Sequence, residues 1–143
     1  MNKLHAIKQS ICLVSSCLVG LCTRYDGKRV PPDRACMKQL IGSIWIPVCP
    51  EQLGGLPTPR IAADIVGGTG QDVLTNKANV VTRTGVDVTS DFIRGAEQVL
   101  IVAQSQPVSN VFLKANSPSC GVSSPVGVTA ALLKQNGFTL SEF

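Results

Sequence analysis

Apolar residues follow two rhythms along this chain: short unbroken runs, and longer stretches at helical spacing. Ile11–Val14, Trp45–Val48 and Asn110–Leu113 are runs of the length of buried strands, and Asn79–Thr82 reads as a further strand before a turn at Gly85. Helical patterns lie between them. Pro31-Pro32-Asp33 opens one, with Asp33 as N-cap and Cys36, Met37 and Leu40 on the apolar face. A second runs from Thr89 or Ser90 to Gln104, with Phe92, Ile93, Ala96, Val99, Leu100 and Ala103 recurring at helical intervals. A third covers Thr129–Gln135 and stops at Asn136-Gly137, before a short last strand at Phe138–Leu140. A stretch rich in Gly and Pro, with Gly54, Gly55, Pro57 and Pro59, follows the second strand. Such alternation predicts an α/β fold, with a mostly parallel sheet and helices on both faces in the Rossmann-like manner. Residues 1–9 read as an N-terminal tail and 10–143 as one domain.

Composition narrows the picture. The chain has 143 residues, 44% of them hydrophobic and 15% charged, which excludes a disordered chain and suits one domain with a real core. Aromatics make up only 4%, so that core rests on Val, Ile, Leu and Ala. The net charge of +4 comes without a Lys/Arg run; it tolerates RNA or nucleotide phosphates but does not single them out. No apolar run approaches the roughly 20 residues of a membrane helix, so no membrane partner is expected. Lys3 and Lys8 precede Val14-Ser15-Ser16-Cys17, which has the form of a lipoprotein cleavage box. The apolar stretch before it is short and interrupted by Gln9 and Ser10, whereas a signal sequence carries about 7–15 apolar residues there. A strand running into a loop is the expectation, in a cytoplasmic protein with reduced thiols. Nothing in the sequence speaks to oligomeric state.

The six cysteines carry the candidate chemistry. Cys17, Cys49 and Cys120 are distant in sequence, yet each falls just after one of the three best strands. In parallel sheets ligands collect where loops leave the carboxyl ends of strands, so these three thiols are expected at one edge. Their loops contain Gly or Pro, with hydroxyls beside Cys17 and Cys120 and a carboxylate two residues after Cys49, and iron-bound thiolates require hydrogen-bond donors and a backbone free to turn. Buried packing cysteines at strand ends fit the same spacing. No C-x-x-C occurs, and the C-x4-C of Cys17 and Cys22 lacks the third cysteine of a plant-type ferredoxin. Packing is the expectation for Cys12, Cys22 and Cys36. His5 is the only histidine and lies in the tail, which argues against Ser–His–Asp or Cys–His catalysis. Gly67-Gly68-Thr69-Gly70 matches neither common phosphate-loop pattern, and no clear helix follows it, so a mobile turn is expected. Arg24-Tyr25-Asp26-Gly27 reads as a solvated turn, although Arg24 is placed to reach an anion.

Four blocks together resemble the small thiouracil desulfurase family: Ser-Cys-Leu-Val-Gly with Arg-Tyr-Asp-Gly, then Pro-Val-Cys-Pro-Glu-Gln-Leu-Gly-Gly-Leu-Pro-Thr-Pro-Arg, then Lys-Ala-Asn-Ser-Pro-Ser-Cys-Gly, then Gly-Val-Thr-Ala-Ala-Leu-Leu. The resemblance runs from about Ser10 to the C-terminus. It implies a [4Fe-4S] cluster on Cys17, Cys49 and Cys120 with one iron left open. It implies non-redox exchange of the sulfur of a thiolated pyrimidine for oxygen, assisted by Glu51 and Ser117. Free thiouracil base, its nucleoside and thiolated RNA are the expected substrates. A non-catalytic iron–sulfur or sulfur-carrier module is the alternative; a cluster-free α/β binding domain and pairing of Glu51 with Arg60 are the blander readings. One departure stands out. Only Val122-Ser123-Ser124-Pro125-Val126 separates Gly121 from Gly127, a shorter loop than the family implies, so a pocket walled by that loop would be more open.

Overall fold

The computed structural model describes residues 9–123 and 125–143. The tail residues 1–8, with Lys3, His5 and Lys8, lie outside the described residues. Four strands form an all-parallel sheet in the order β2-β1-β5-β6: β1 (Ile11–Ser15), β2 (Ile44–Val48), β5 (Val108–Leu113) and β6 (Leu140–Glu142). Two more, β3 (Ala63–Val66) and β4 (Asn79–Thr82), make a separate antiparallel ribbon. The helices are α1 (Arg34–Leu40), α2 (Pro50–Leu53), α3 (Gly70–Leu74), α4 (Thr89–Gln104) and α5 (Val128–Gln135). No helix of the described residues is long and apolar enough to cross a membrane.

Side chains alternate across a strand, and this period of two divides the core. Cys12, Val14 and Phe112 point to one face and pack on Cys36 and Leu40 of α1. Leu13, Val111 and Leu113 point to the other and meet Val99 and Ala103 of α4 and Ala130 and Leu133 of α5. Helices thus cover both faces, as the alternation predicts. Asp33 caps α1 by accepting from Cys36 N at 2.9 Å. A third apolar cluster joins Val73, Val80, Val88, Phe92, Ala96 and Val128, which fastens the ribbon and α3 to the flank of α4 and α5.

Several expectations need correction. Asn79–Thr82 is a strand, but it pairs in the ribbon rather than in the parallel sheet. The last strand starts at Leu140 instead of Phe138. Ile44 and Trp45 are exposed because β2 is an edge strand. Gly67–Gly70 is no mobile turn: a helix does follow it. Thr69 and Asp72 form a capping box, with Thr69 N donating to Asp72 Oδ2 at 2.8 Å. Five residues are too few to display a helical period, which is why α3 escapes a pattern reading.

Glycine lets two helices touch backbone to backbone. A Cβ on Gly54, at the end of α2, would lie 2.0 Å from Asp91 O of α4, and one on Gly95 of α4 would lie 2.0 Å from Pro50 O. The four-residue α2 is therefore pressed onto α4, and Glu51 is carried with it. Gly95→Ala is expected to cost about 1–3 kcal/mol, the usual range for overpacking. A thermal melt should register a drop of several degrees; an unchanged melting temperature would show that the two helices are not in this contact.

Candidate active site

Parallel pairing of β1 with both β2 and β5 brings three carboxyl ends together. Ser15 pairs with Val48, and Val14 with Phe112. The chain continues from these ends into a short 3-10 helix (Ser16–Val19) that holds Cys17, into Cys49 at the N-cap of α2, and into the turn that holds Cys120. All three cysteines line one cavity of about 340 Å³, together with Glu51 and Ser117. Cys12, Cys22 and Cys36 do not line it: Cys12 and Cys36 are packed on the α1 face, and Cys22 is exposed.

Burial dominates the electrostatics of the thiols. It pushes Cys120 up to about 12, with the nearby Ser15 and Ser119 hydroxyls opposing the rise and Glu51 and Cys49 adding to it. Cys17 is raised by burial and then by Cys49, against Lys114 and Arg24. The thiols thus sense one another across the cavity. Yet among the described residues no three Cys, His, Asp or Glu side chains gather closely enough to hold a single metal ion. Three cysteine thiols on one cavity wall are the type of donor that iron–sulfur groups take. Metal binding must displace their protons, so loading would release acid.

Glu51 stands at the centre of a polar chain. Its Oε1 accepts from Arg60 Nε at 3.0 Å, and its Oε2 accepts from Ser119 Oγ at 2.9 Å. Ser119 Oγ lies 3.0 Å from Ser117 Oγ. With the Ser119 proton given to Glu51, Ser117 becomes the donor to Ser119, and the order is Ser117 to Ser119 to Glu51. Ser117 Oγ also accepts from Ser119 N at 3.2 Å and Cys120 N at 3.0 Å, which shapes the turn around that thiol. The blander reading, pairing of Glu51 with Arg60, is met as well, and it leaves Glu51 in the cavity wall that the thiols line. Breaking a buried ion pair from one side typically costs about 3–5 kcal/mol. With the Arg60 and Glu51 side chains 6% and 16% exposed, this one lies toward that end.

The sequence reading misses Ser119 and the central position of Arg60. Ser119 is buried and touches the carboxylate directly, between Ser117 and Glu51. The motif Ser-Pro-Ser-Cys contains it, but nothing in the spacing separates it from Ser117. Arg24, Arg83, Lys114 and Asn116 also line the cavity. Arg24 Nε lies 3.5 Å from Asp26 Oδ1, whereas Arg83 and Lys114 form no ion pair among the described residues. The short loop after Gly121 contributes none of its described residues to the cavity wall. Val122 N and Ser123 N donate instead to the Glu142 carboxylate.

A sequence model of the 2-thiouracil desulfurase family matches residues 12–142. The chain belongs to this family. It is 43% identical over 139 residues to the uncharacterised protein YbbK of Bacillus subtilis (strain 168), covering 88% of this chain and 91% of that one. Its fold is similar to the solved structure of TudS, a [4Fe-4S]-dependent thiouracil desulfidase, with a TM-score of 0.75 and 35% identity over 94% of this chain and 91% of the other. Both comparisons cover most of this desulfurase-family chain.

The thiol environments are separable by labelling. Burial raises Cys36 to about 11, helped by Asp33 and its cysteine neighbours. The reactive thiolate is therefore scarce at pH 8 and grows only as pH climbs toward that value. In the metal-free folded protein at pH 8, iodoacetamide should modify exposed Cys22 first and leave Cys36 intact, read by peptide mass mapping. Equal labelling rates would show that the α1 face is open to solvent.

Proposed function

We propose that this chain holds a [4Fe-4S] cluster on Cys17, Cys49 and Cys120 and exchanges the sulfur of a thiolated pyrimidine for oxygen. The observation that carries the reading is that three thiols from three adjacent strand ends share one cavity with a carboxylate and two linked hydroxyls. Family membership and the likeness to TudS support it. When bound through three sulfurs, a cluster of this kind supplies one iron without a protein ligand, a soft Lewis acid suited to a thiocarbonyl sulfur.

The exchange balances without electrons: a thiocarbonyl and water give a carbonyl and hydrogen sulfide. Water must lose protons, and the departing sulfur must gain them. Of the two carboxylates in the cavity wall, Glu51 and Asp64, Glu51 is the one linked to Ser119 and Ser117, and it takes and returns the proton on Oε2, since Oε1 is committed to Arg60. Ser119, already donating to Oε2, passes a proton between Glu51 and Ser117. Arg83 and Lys114 at the cavity wall suit a substrate with a phosphate, so nucleotides or thiolated RNA join the free base as substrates. Thiols and cluster alike call for a reducing compartment, which the cytoplasm provides.

Anaerobic preparation tests the assignment. The wild-type chain should carry about four iron and four sulfide, and should convert 4-thiouracil or a 2-thiopyrimidine to the oxo form with release of sulfide. Serine at Cys17, Cys49 or Cys120 should abolish iron binding, whereas serine at Cys12, Cys22 or Cys36 should preserve it. Iron lost equally from Cys22→Ser would overturn the ligand set, and an intact cluster inert toward every thiopyrimidine would favour a carrier.

Glu51→Gln keeps the size of the side chain and one oxygen to accept from Arg60, but removes the proton-holding group. It should retain the cluster spectrum and slow desulfuration by at least about a hundredfold, the low end for general acid–base catalysis. A near-normal rate would take Glu51 out of the chemistry.

A further inference from the structure

Arg60 lies where the carboxylate and one of the thiols meet, and every donor it owns is engaged. A guanidinium has five N–H groups, one on Nε and two on each terminal nitrogen. Nε donates to Glu51 Oε1 at 3.0 Å. Nη1 donates to Thr58 Oγ1 at 2.9 Å and Pro57 O at 3.3 Å. Nη2 donates to Thr23 O at 2.9 Å and reaches Cys49 Sγ at 3.9 Å. Its backbone is tied as well, with Arg60 N donating to Tyr25 O at 2.7 Å. The side chain is 6% exposed. It therefore joins three segments of the cavity wall: the 23–25 loop, the start of α2, and the Pro57–Pro59 turn.

We infer that Arg60 is a positioning residue that couples the Glu51 carboxylate to the Cys49 sulfur. The inference rests on the iron–sulfur reading above. As a thiol, Cys49 donates to Thr23 O at 3.7 Å. A metal-bound sulfur has no proton to give, so that bond is lost on ligation. Arg60 Nη2, which contacts both Thr23 O and Cys49 Sγ, then remains as the donor to the sulfur. A cation donating to a ligand thiolate withdraws electron density from it and stabilises the more negative, reduced form of the cluster. Through Nε the same cation claims Oε1 of Glu51, which leaves Oε2 for Ser119 and the reaction. Lys, with a point charge and no planar fork, keeps the charge but cannot hold the carboxylate and reach the sulfur with fixed geometry.

The measurement is the midpoint potential of the anaerobic holoprotein, by spectroelectrochemistry, beside steady-state kinetics. Arg60→Met should lower the potential relative to wild type. Glu51→Gln should raise it, because the cation beside Cys49 is no longer neutralised. Two charges acting independently on the cluster would also give opposite shifts, so the coupling is read from the double variant Arg60→Met/Glu51→Gln, whose shift should differ from the sum of the two single shifts; an additive shift would overturn it. Arg60→Lys guards against loss of folding in Arg60→Met; it should fold, load iron, and lose at least about tenfold in kcat with KM within about twofold. A folded, loaded Arg60→Lys with wild-type potential and kcat would overturn the coupling, as would shifts of the same sign in Arg60→Met and Glu51→Gln. A wild-type chain that binds no cluster would instead overturn the iron–sulfur reading, and this inference with it.

Discussion

Strand β1 is the member on which the arrangement depends. It pairs in parallel with β2 on one side and β5 on the other, and parallel pairing is the only kind that sets three carboxyl ends side by side. An antiparallel neighbour would send its following loop to the far edge of the sheet. Leu13 and Val14 are fully buried on opposite faces, so β1 cannot slip by one residue without exchanging its two cores. The apolar run Ile11–Val14 thus fixes Cys17 in space, and the register fixes Cys49 and Cys120 relative to it.

A second constraint is the approach of backbone to backbone. Gly54 and Gly95 let α2 lie against α4, and Glu51 sits on the helix so placed. Behind the third thiol, a Cβ on Gly70 would lie 2.3 Å from Gly127 C and O, and one on Gly127 would lie 2.5 Å from Ser119 C and O. The start of α3, Gly127 and the Cys120 turn are stacked. Gly70 N donates to Val126 O at 2.7 Å, and Thr129 N to Ser119 O at 2.9 Å, which closes the stack with hydrogen bonds. The glycine-rich segment at 67–70 thereby supports the site from behind without facing the cavity.

Elements that bury a full apolar face were legible in the sequence. The period of α4 and the runs of β1 and β5 survive within a residue or two, because their hydrophobic pattern and their packing are the same fact. What escaped has no pattern of its own. α2 and α3 are held by glycine contacts and a capping box, and β3 alternates weakly between half-buried and exposed positions. In the site, the strand-end rule brought the cysteines to one cavity. Their family motif drew attention to Glu51 and Ser117. Ser119 and the five-fold bonding of Arg60 depend on segments far apart in sequence, and only the tertiary fold brings them within reach.

The order in which the thiols leave the ribosome follows from the topology. β1 and β2 are made early, so Cys17, Cys49 and Glu51 are synthesised while most of the chain is still to come, although α2 has nothing to press against until α4 exists. The third thiol lies beyond α4 and β5, and its turn is backed by α5, whose Thr129 N and Ala130 N both donate to Ser119 O. At about 5–20 residues per second, a nascent chain passes several seconds with two thiols presented and the third unmade. Metal supplied during that interval meets an incomplete set; all three thiols exist together only once β5 and the Cys120 turn have joined the sheet.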